Sequence, residues 1–216
     1  INEIAELTET EQDALFDSLS REFSPDPKAV LKAAEAYATA PNAATLATLS
    51  NIAEPPRQEL FRRLNRAPGG TAALVGLRRQ MLRRLAKNPE WQSAEADMLH
   101  LLSSWFNPGF LQMRRVDWNS PAHLLEQIIQ HEAVHAVDGW DDLRRRLQPD
   151  RRCFAFFHPQ LADVPLIFVE VALVAAMPDA IAPLIDKNSE ITPPKQFRVA
   201  AFYSISNCEP GLRGVS

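Results

Sequence analysis

Cysteine is nearly missing from this chain: only Cys153 and Cys208 occur among 216 residues, and they form no Cys-x-x-Cys pair. That scarcity excludes a disulfide framework and a thiolate metal site, and it fits a reducing compartment, here taken as the cytoplasm. No apolar run approaches the roughly 20 residues that span a bilayer, and the acidic stretch from Ile1 to Glu11 is unlike a signal or transit peptide. No membrane partner is therefore expected. Charge of one sign is not in excess either. With 23 Lys and Arg against 27 Asp and Glu, the net charge of −4 gives no argument for nucleic acid as a partner.

Proline, by contrast, is plentiful at 17 residues, and its placement explains the number without invoking disorder. From Thr8 to about Phe106 the chain reads as six short amphipathic helices. Thr8 with Glu11 makes a capping box, followed by Leu15, Phe16, Leu19 and Phe23 on one face. Asp26-Pro27, Pro41-Asn42, Pro55-Pro56, Gly69-Gly70-Thr71 and Asn88-Pro89 open the next five. Together they predict a helical bundle over 1–106. Arg78-Arg79 and Arg83-Arg84 form a basic face that could bind phosphate but that the pattern assigns rather to solvent or to an ion pair across subunits; Met81 and Met98 read as core or subunit contact.

Asn107-Pro108-Gly109 is a breaker cluster, and the periodicity changes after it. A strand-like run carries Phe110, Leu111, Met113 and Val116, and Ser120-Pro121 starts a helix through Leu124, Leu125, Ile128 and Ile129. Another helix begins at Asp141-Asp142. Three β-prone runs follow, Arg152 to His158, Pro165 to Leu173 and Val199 to Ser206, the first two joined as a hairpin and the last two separated by a helical insert. The chain closes on Pro210-Gly211-Leu212-Arg213-Gly214-Val215-Ser216, which has the composition of a tight turn suited to a phosphate. The overall expectation is an α+β chain, with an all-α bundle over 1–106 and a mixed domain over 107–216.

Several of these segments occur together in one family. Glu132-Ala133-Val134-His135, Gly139-Trp140 with Arg145-Arg146-Leu147, Arg151-Arg152-Cys153, Phe202-Tyr203-Ser204-Ile205-Ser206 and Gly211-Leu212-Arg213-Gly214-Val215, in this order and spacing, resemble malonyl-CoA decarboxylase from about Trp105 onward. The resemblance implies that 107–216 is the first part of an N-acetyltransferase-like catalytic domain, cut at its coenzyme A turn. It implies malonyl-CoA as substrate, acetyl-CoA as product and a homo-oligomer formed through the helical region. Arg213, Gly214, Val215 and Ser216 match the start of the turn that holds the coenzyme A phosphates, although Ser216 stands where the general acetyltransferase pattern has glycine. The family's catalytic Ser and His lie beyond that turn, so no catalytic residue is assigned within these 216 residues and a longer polypeptide is expected. Loss of CO2 leaves a thioester enolate, and because the thioester is itself the electron sink, no metal or organic cofactor is implied.

Two rival readings come from the residues. His131-Glu132-Ala133-Val134-His135 matches His-Glu-x-x-His, which on one helix would present two zinc ligands and a general base of a hydrolase. However, Asp138 and Asp141 stand where a Gly/His continuation would be, and Gly139 suggests that the helix ends near His131. A non-catalytic helical interaction module is the other alternative. Among single residues, Glu170 in an apolar strand needs a partner, expected to be Arg114, Arg115 or Arg152. His158, before Pro159 at a strand end, could act as a general acid but reads rather as solvent-exposed or locally hydrogen-bonded, and Ser204 and Ser206, two apart on one strand, share a face.

Overall fold

The computed structural model describes residue 4 and residues 6–215. It is an α+β chain that divides into two compact units, one formed by 1–106 with 211–216, the other by 107–210.

In the first unit the expected starts open five of the helices as read, whereas Asn88-Pro89 opens only a 3-10 turn, without a capping bond from Asn88, and the sixth helix follows it. The Thr8–Glu11 capping box is formed, with Thr8 Oγ1 accepting from the Glu11 N–H and the Glu11 carboxylate accepting from the Thr8 N–H, and it opens α1 (Glu9–Arg21). Asp26 caps α2 (Pro27–Thr39) and Asn42 caps α3 (Ala43–Ala53). Pro56 stands first in α4 (Pro56–Arg66), where its missing N–H costs nothing. Gly69, at φ 74°, turns the chain into α5 (Gly70–Arg84), and a 3-10 turn at Pro89–Trp91 precedes α6 (Gln92–Trp105).

The six helices are not equal partners in one core. Phe16, Leu19, Phe61, Leu74, Leu77, Met81, Trp91, Ala94, Met98 and Leu101 pack together, drawn from α1, α4, α5, α6 and the turn before α6. Trp91 meets Phe16 edge-on at 5.1 Å and donates its indole N–H to Asp17 at 2.7 Å. Helices α2 and α3 stand apart from this cluster: α2 buries only Ala33, and α3, which carries no charged residue, buries none.

The second unit begins with β1 (Gln112–Val116), then α7 (Ala122–His131) and α8 (Gly139–Arg146), β2 (Arg151–Phe157), β3 (Ile167–Val174), the short α9 (Ala182–Ile185) and β4 (Val199–Asn207). This is the element order read from the sequence. The sheet is wholly antiparallel in the order β1-β2-β3-β4. Burial alternates strictly along β2, where Arg151, Cys153, Ala155 and Phe157 face inward. Cys153, Ala155 and Phe157 pack with Val116, Phe168 and Cys208 beneath Leu125 and Ile128 of α7 and Leu143 of α8. Between β3 and β4 the register shifts at Glu170/Val171, because Ser204 pairs with Glu170 and Phe202 with Val171. Tyr203 is the extra residue of this β-bulge, so Tyr203 and Ser204 are both buried although they are neighbours.

Candidate functional site

The segment Glu132–His135 is not helical. Helix α7 ends at His131, and Glu132 follows in extended conformation. The Glu132 carboxylate turns back on its own chain, accepting the N–H groups of Val134 (2.9 Å) and His135 (2.8 Å). It also reaches strand β4, where the Ser204 hydroxyl lies 2.8 Å from both carboxylate oxygens and Ser206 Oγ lies 3.2 Å from one. Ser206 Oγ in turn accepts the Ala133 N–H at 3.2 Å. The shared face expected for the two serines is thus occupied by one buried carboxylate. This settles the zinc motif against itself: His131 and His135 do not share one helical face, and the glutamate between them is spent as a clasp. Among the described residues no group of three or more His, Cys, Asp or Glu is arranged to hold a metal ion.

A second buried network lies under α8. Glu170 does not pair with Arg114, Arg115 or Arg152. Its partner is Arg146, whose Nη1 donates to Glu170 Oε2 at 3.0 Å while Nε and Nη2 hold Asp142 at 3.0 and 3.2 Å and Nη2 also caps the Ala136 carbonyl. The correction has a simple cause. Arg152 faces the opposite side of the sheet from Glu170, whereas α8 covers the side on which Glu170 lies. Burial lifts the Glu170 pKa from 4.5 to about 7, against the pull of Arg146 and with help from the negative charge of Glu132. Glu170 Oε1 and the Tyr203 hydroxyl are both shielded from solvent without a well-formed hydrogen bond, and burial followed by the nearby Glu170 charge pushes the tyrosine up. For Arg146, burial opposes the charge, but Asp142 and Glu170 together hold its pKa above the usual range.

Next to it, Asp150 is fully buried and accepts both Nη atoms of Arg145 (2.8 and 2.9 Å), Nη1 of Arg151 (2.8 Å) and the Thr192 N–H (3.1 Å). Burial works to raise its pKa, but these donors win and hold it below the ordinary value. The two thiols are inert by the same physics: burial pushes Cys208 up to about 12 and Cys153 well above its ordinary value. His158 is buried and not solvent-exposed; it accepts the Gln160 N–H through Nδ1 at 3.2 Å, the local of the two expectations.

The glycine turn belongs to the first unit. Pro210–Leu212 forms a 3-10 turn, the Val215 N–H closes on the Leu212 carbonyl at 3.0 Å, and Gly214 sits at φ 81°, where a side chain would be strained. Arg213 and Gly214 are exposed and Val215 is half-buried; Ser216 lies outside the described residues. The Gly211 and Arg213 carbonyls accept from Arg78 of α5, which also grips Glu95 of α6. The basic face read over Arg78, Arg79, Arg83 and Arg84 is therefore not a single solvated stripe. Arg78 is buried, and Arg84 pairs with Asp13 at 2.8 Å while lying over the Phe16 ring.

Comparison with known proteins bears on both units. Residues 23–106 match the family model described as the malonyl-CoA decarboxylase N-terminal domain, and residues 109–216 match the malonyl-CoA decarboxylase C-terminal domain. The sequence resemblance from Trp105 onward thus extends back through most of the helical region. The chain is 37% identical over 167 residues to the mitochondrial malonyl-CoA decarboxylase of Anser anser anser, covering 74% of this chain and 33% of that protein. It is 36% identical over 162 residues to the Rattus norvegicus protein of the same name, covering 72% and 33%. Two crystal structures of malonyl-CoA decarboxylase resemble it closely. The Rhodopseudomonas palustris structure has a TM-score of 0.90 at 49% identity over 99% of this chain and 52% of that one; the Agrobacterium vitis structure has 0.92 at 47% over 100% and 52%. The chain therefore spans about a third of the curated relatives and half of the solved structures it matches.

Proposed function

The chain belongs to the malonyl-CoA decarboxylase family, and we propose that it supplies the helical region and the first part of the N-acetyltransferase-like catalytic domain of an enzyme converting malonyl-CoA to acetyl-CoA and CO2. In that reaction the bond between the carboxylate carbon and the α-carbon breaks, CO2 leaves, and the electron pair moves into the thioester as an enolate. A proton then arrives at the α-carbon. We propose that Arg213, Gly214, Val215 and Ser216 contribute to holding the coenzyme A phosphates, and that the groups handling the proton are contributed from outside these 216 residues.

The observation that carries this reading is the turn at Gly211–Val215, closed by its own hydrogen bond, with a left-handed glycine beside an exposed arginine. A left-handed glycine lets a ligand approach the backbone closely, and a guanidinium makes strong, paired hydrogen bonds to phosphate. The order of elements from β1 to β4 supports the same assignment. The zinc-hydrolase and interaction-module readings are not retained, the first because Glu132 is already spent on Ser204.

Self-association through the helical region is also proposed, with α2 and α3 as the surface: Leu31, Leu46 and Ile52 are exposed there on helices that bury almost nothing. Among the described residues no helix is long and apolar enough to cross a membrane. Two free, buried cysteines fit a reducing compartment, and we propose the cytoplasm, although the relatives above carry the word mitochondrial in their names.

The test is an assay of the intact protein for acetyl-CoA and CO2 from malonyl-CoA, with and without a chelator, comparing wild type with Arg213→Gln. Chelator-insensitive turnover, with KM raised in the variant, is expected. Failure to form acetyl-CoA overturns the reaction, and an unchanged KM overturns the phosphate assignment.

A further inference from the structure

Within the first unit one side chain organises the glycine turn. Arg78, in the middle of α5, is 1% exposed. Its Nη1 donates to the Gly211 carbonyl at 2.7 Å and its Nη2 to the Arg213 carbonyl at 2.8 Å. Nε and Nη2 also donate to Glu95 Oε1, at 3.0 and 2.6 Å. Two carbonyls two residues apart are thus drawn to one rigid, planar fork. Since a trans peptide carries its N–H opposite its carbonyl, fixing those carbonyls also fixes where the following N–H groups are aimed. Glu95 neutralises the guanidinium, so Arg78 acts on the shape of the turn and leaves the positive charge to Arg213.

We infer that Arg78 is a positioning residue for coenzyme A: it sets the backbone of the Gly211–Val215 turn for the nucleotide phosphates without touching the substrate. This rests on the phosphate assignment proposed above. A lysine cannot do the same, because an ammonium has no planar fork to span both carbonyls while holding the carboxylate. A helix in a region with no catalytic group of its own would then tune substrate binding.

The test compares malonyl-CoA with malonyl-pantetheine, which carries the same thioester but lacks the nucleotide phosphates, on the intact wild-type protein and on Arg78→Gln. Losing two hydrogen bonds to the turn should raise KM for malonyl-CoA about tenfold or more and leave kcat largely unchanged. The kcat/KM for malonyl-pantetheine should stay at its wild-type value. Equal losses on the two thioesters, which a general packing defect would cause, overturn the inference, and so does an absence of loss on malonyl-CoA. Arg78→Lys, which keeps the charge beside Glu95, is read by the same ratio and carries the test if the glutamine variant does not fold. If wild type shows the same kcat/KM on both thioesters, the phosphate assignment itself fails. If wild type discriminates and the Arg78 variants keep its ratio, only the role of Arg78 falls.

Discussion

Ser204 and Glu132 lie 72 residues apart in sequence, yet the serine hydroxyl sits 2.8 Å from both oxygens of the glutamate carboxylate. One side chain from the end of α7 is in this way fastened to the last strand of the sheet, and the turn it caps is fastened with it. Ser204→Ala should cost about 1–3 kcal/mol in urea unfolding, because it leaves a buried carboxylate short of a donor. Glu132→Ala should cost more, since it strands two hydroxyls and two backbone N–H groups. A loss below experimental error in both variants would show that the clasp contributes nothing to stability.

Glu170 gives the second unit a defined response to pH. Its pKa rises from 4.5 to about 7 in the folded chain, so the folded state binds the proton more tightly than the unfolded state. The stability linked to that proton is fully present below pH 4.5 and is lost as pH rises through 7. The shift corresponds to an effect on the order of 3 kcal/mol. Asp150, whose pKa is lowered, contributes with the opposite sign toward acid. Glu170→Gln should remove the pH 5 to 7.5 component, read from urea midpoints at the two pH values; an unchanged difference between the midpoints would refute the assignment.

Two glycines of α5 should behave in opposite ways. A Cβ on Gly70 would overlap the Leu64 carbonyl at the corner between α4 and α5, whereas one on Gly76 meets nothing within 4 Å. Gly70→Ala should therefore lower the melting temperature or prevent folding. Gly76→Ala should stabilise by up to about 1 kcal/mol through helix propensity alone. Thermal melts of the two variants side by side check both signs.

The exposed apolar side chains of α2 and α3 should matter to assembly and not to folding. Leu31 is 61% exposed and Leu46 46%, so Leu31→Glu with Leu46→Glu removes little from any core. We expect a smaller species by light scattering, with an unchanged melting temperature measured at matched low concentration. An unchanged mass would mean that these helices do not carry self-association.

The particular elements show what a chain of residues reveals by itself. Caps and prolines are local, so Thr8, Asp26, Asn42 and Pro56 marked their helices from sequence, and runs rich in β-branched and aromatic residues marked β2 and β3. The glycine turn was legible because φ 81° at Gly214 is a demand on one residue. The partner of Glu170 was not legible, because sequence points to arginines on neighbouring strands, whereas Arg146 arrives from a helix laid over the sheet. Nor was the burial of Tyr203 beside Ser204, which depends on a bulge that period-two reasoning cannot foresee.

Sequence alone determined where this chain is helical or extended, the order of those elements and the family they resemble, since backbone preferences and short motifs act over a few residues. Tertiary structure decided which charges are buried together: Glu132 with Ser204 and Ser206, Arg146 with Glu170, and Arg78 with the Gly211 and Arg213 carbonyls. Such pairings are set by which elements are brought face to face, and a buried charge must find its partner there wherever that partner lies in the chain.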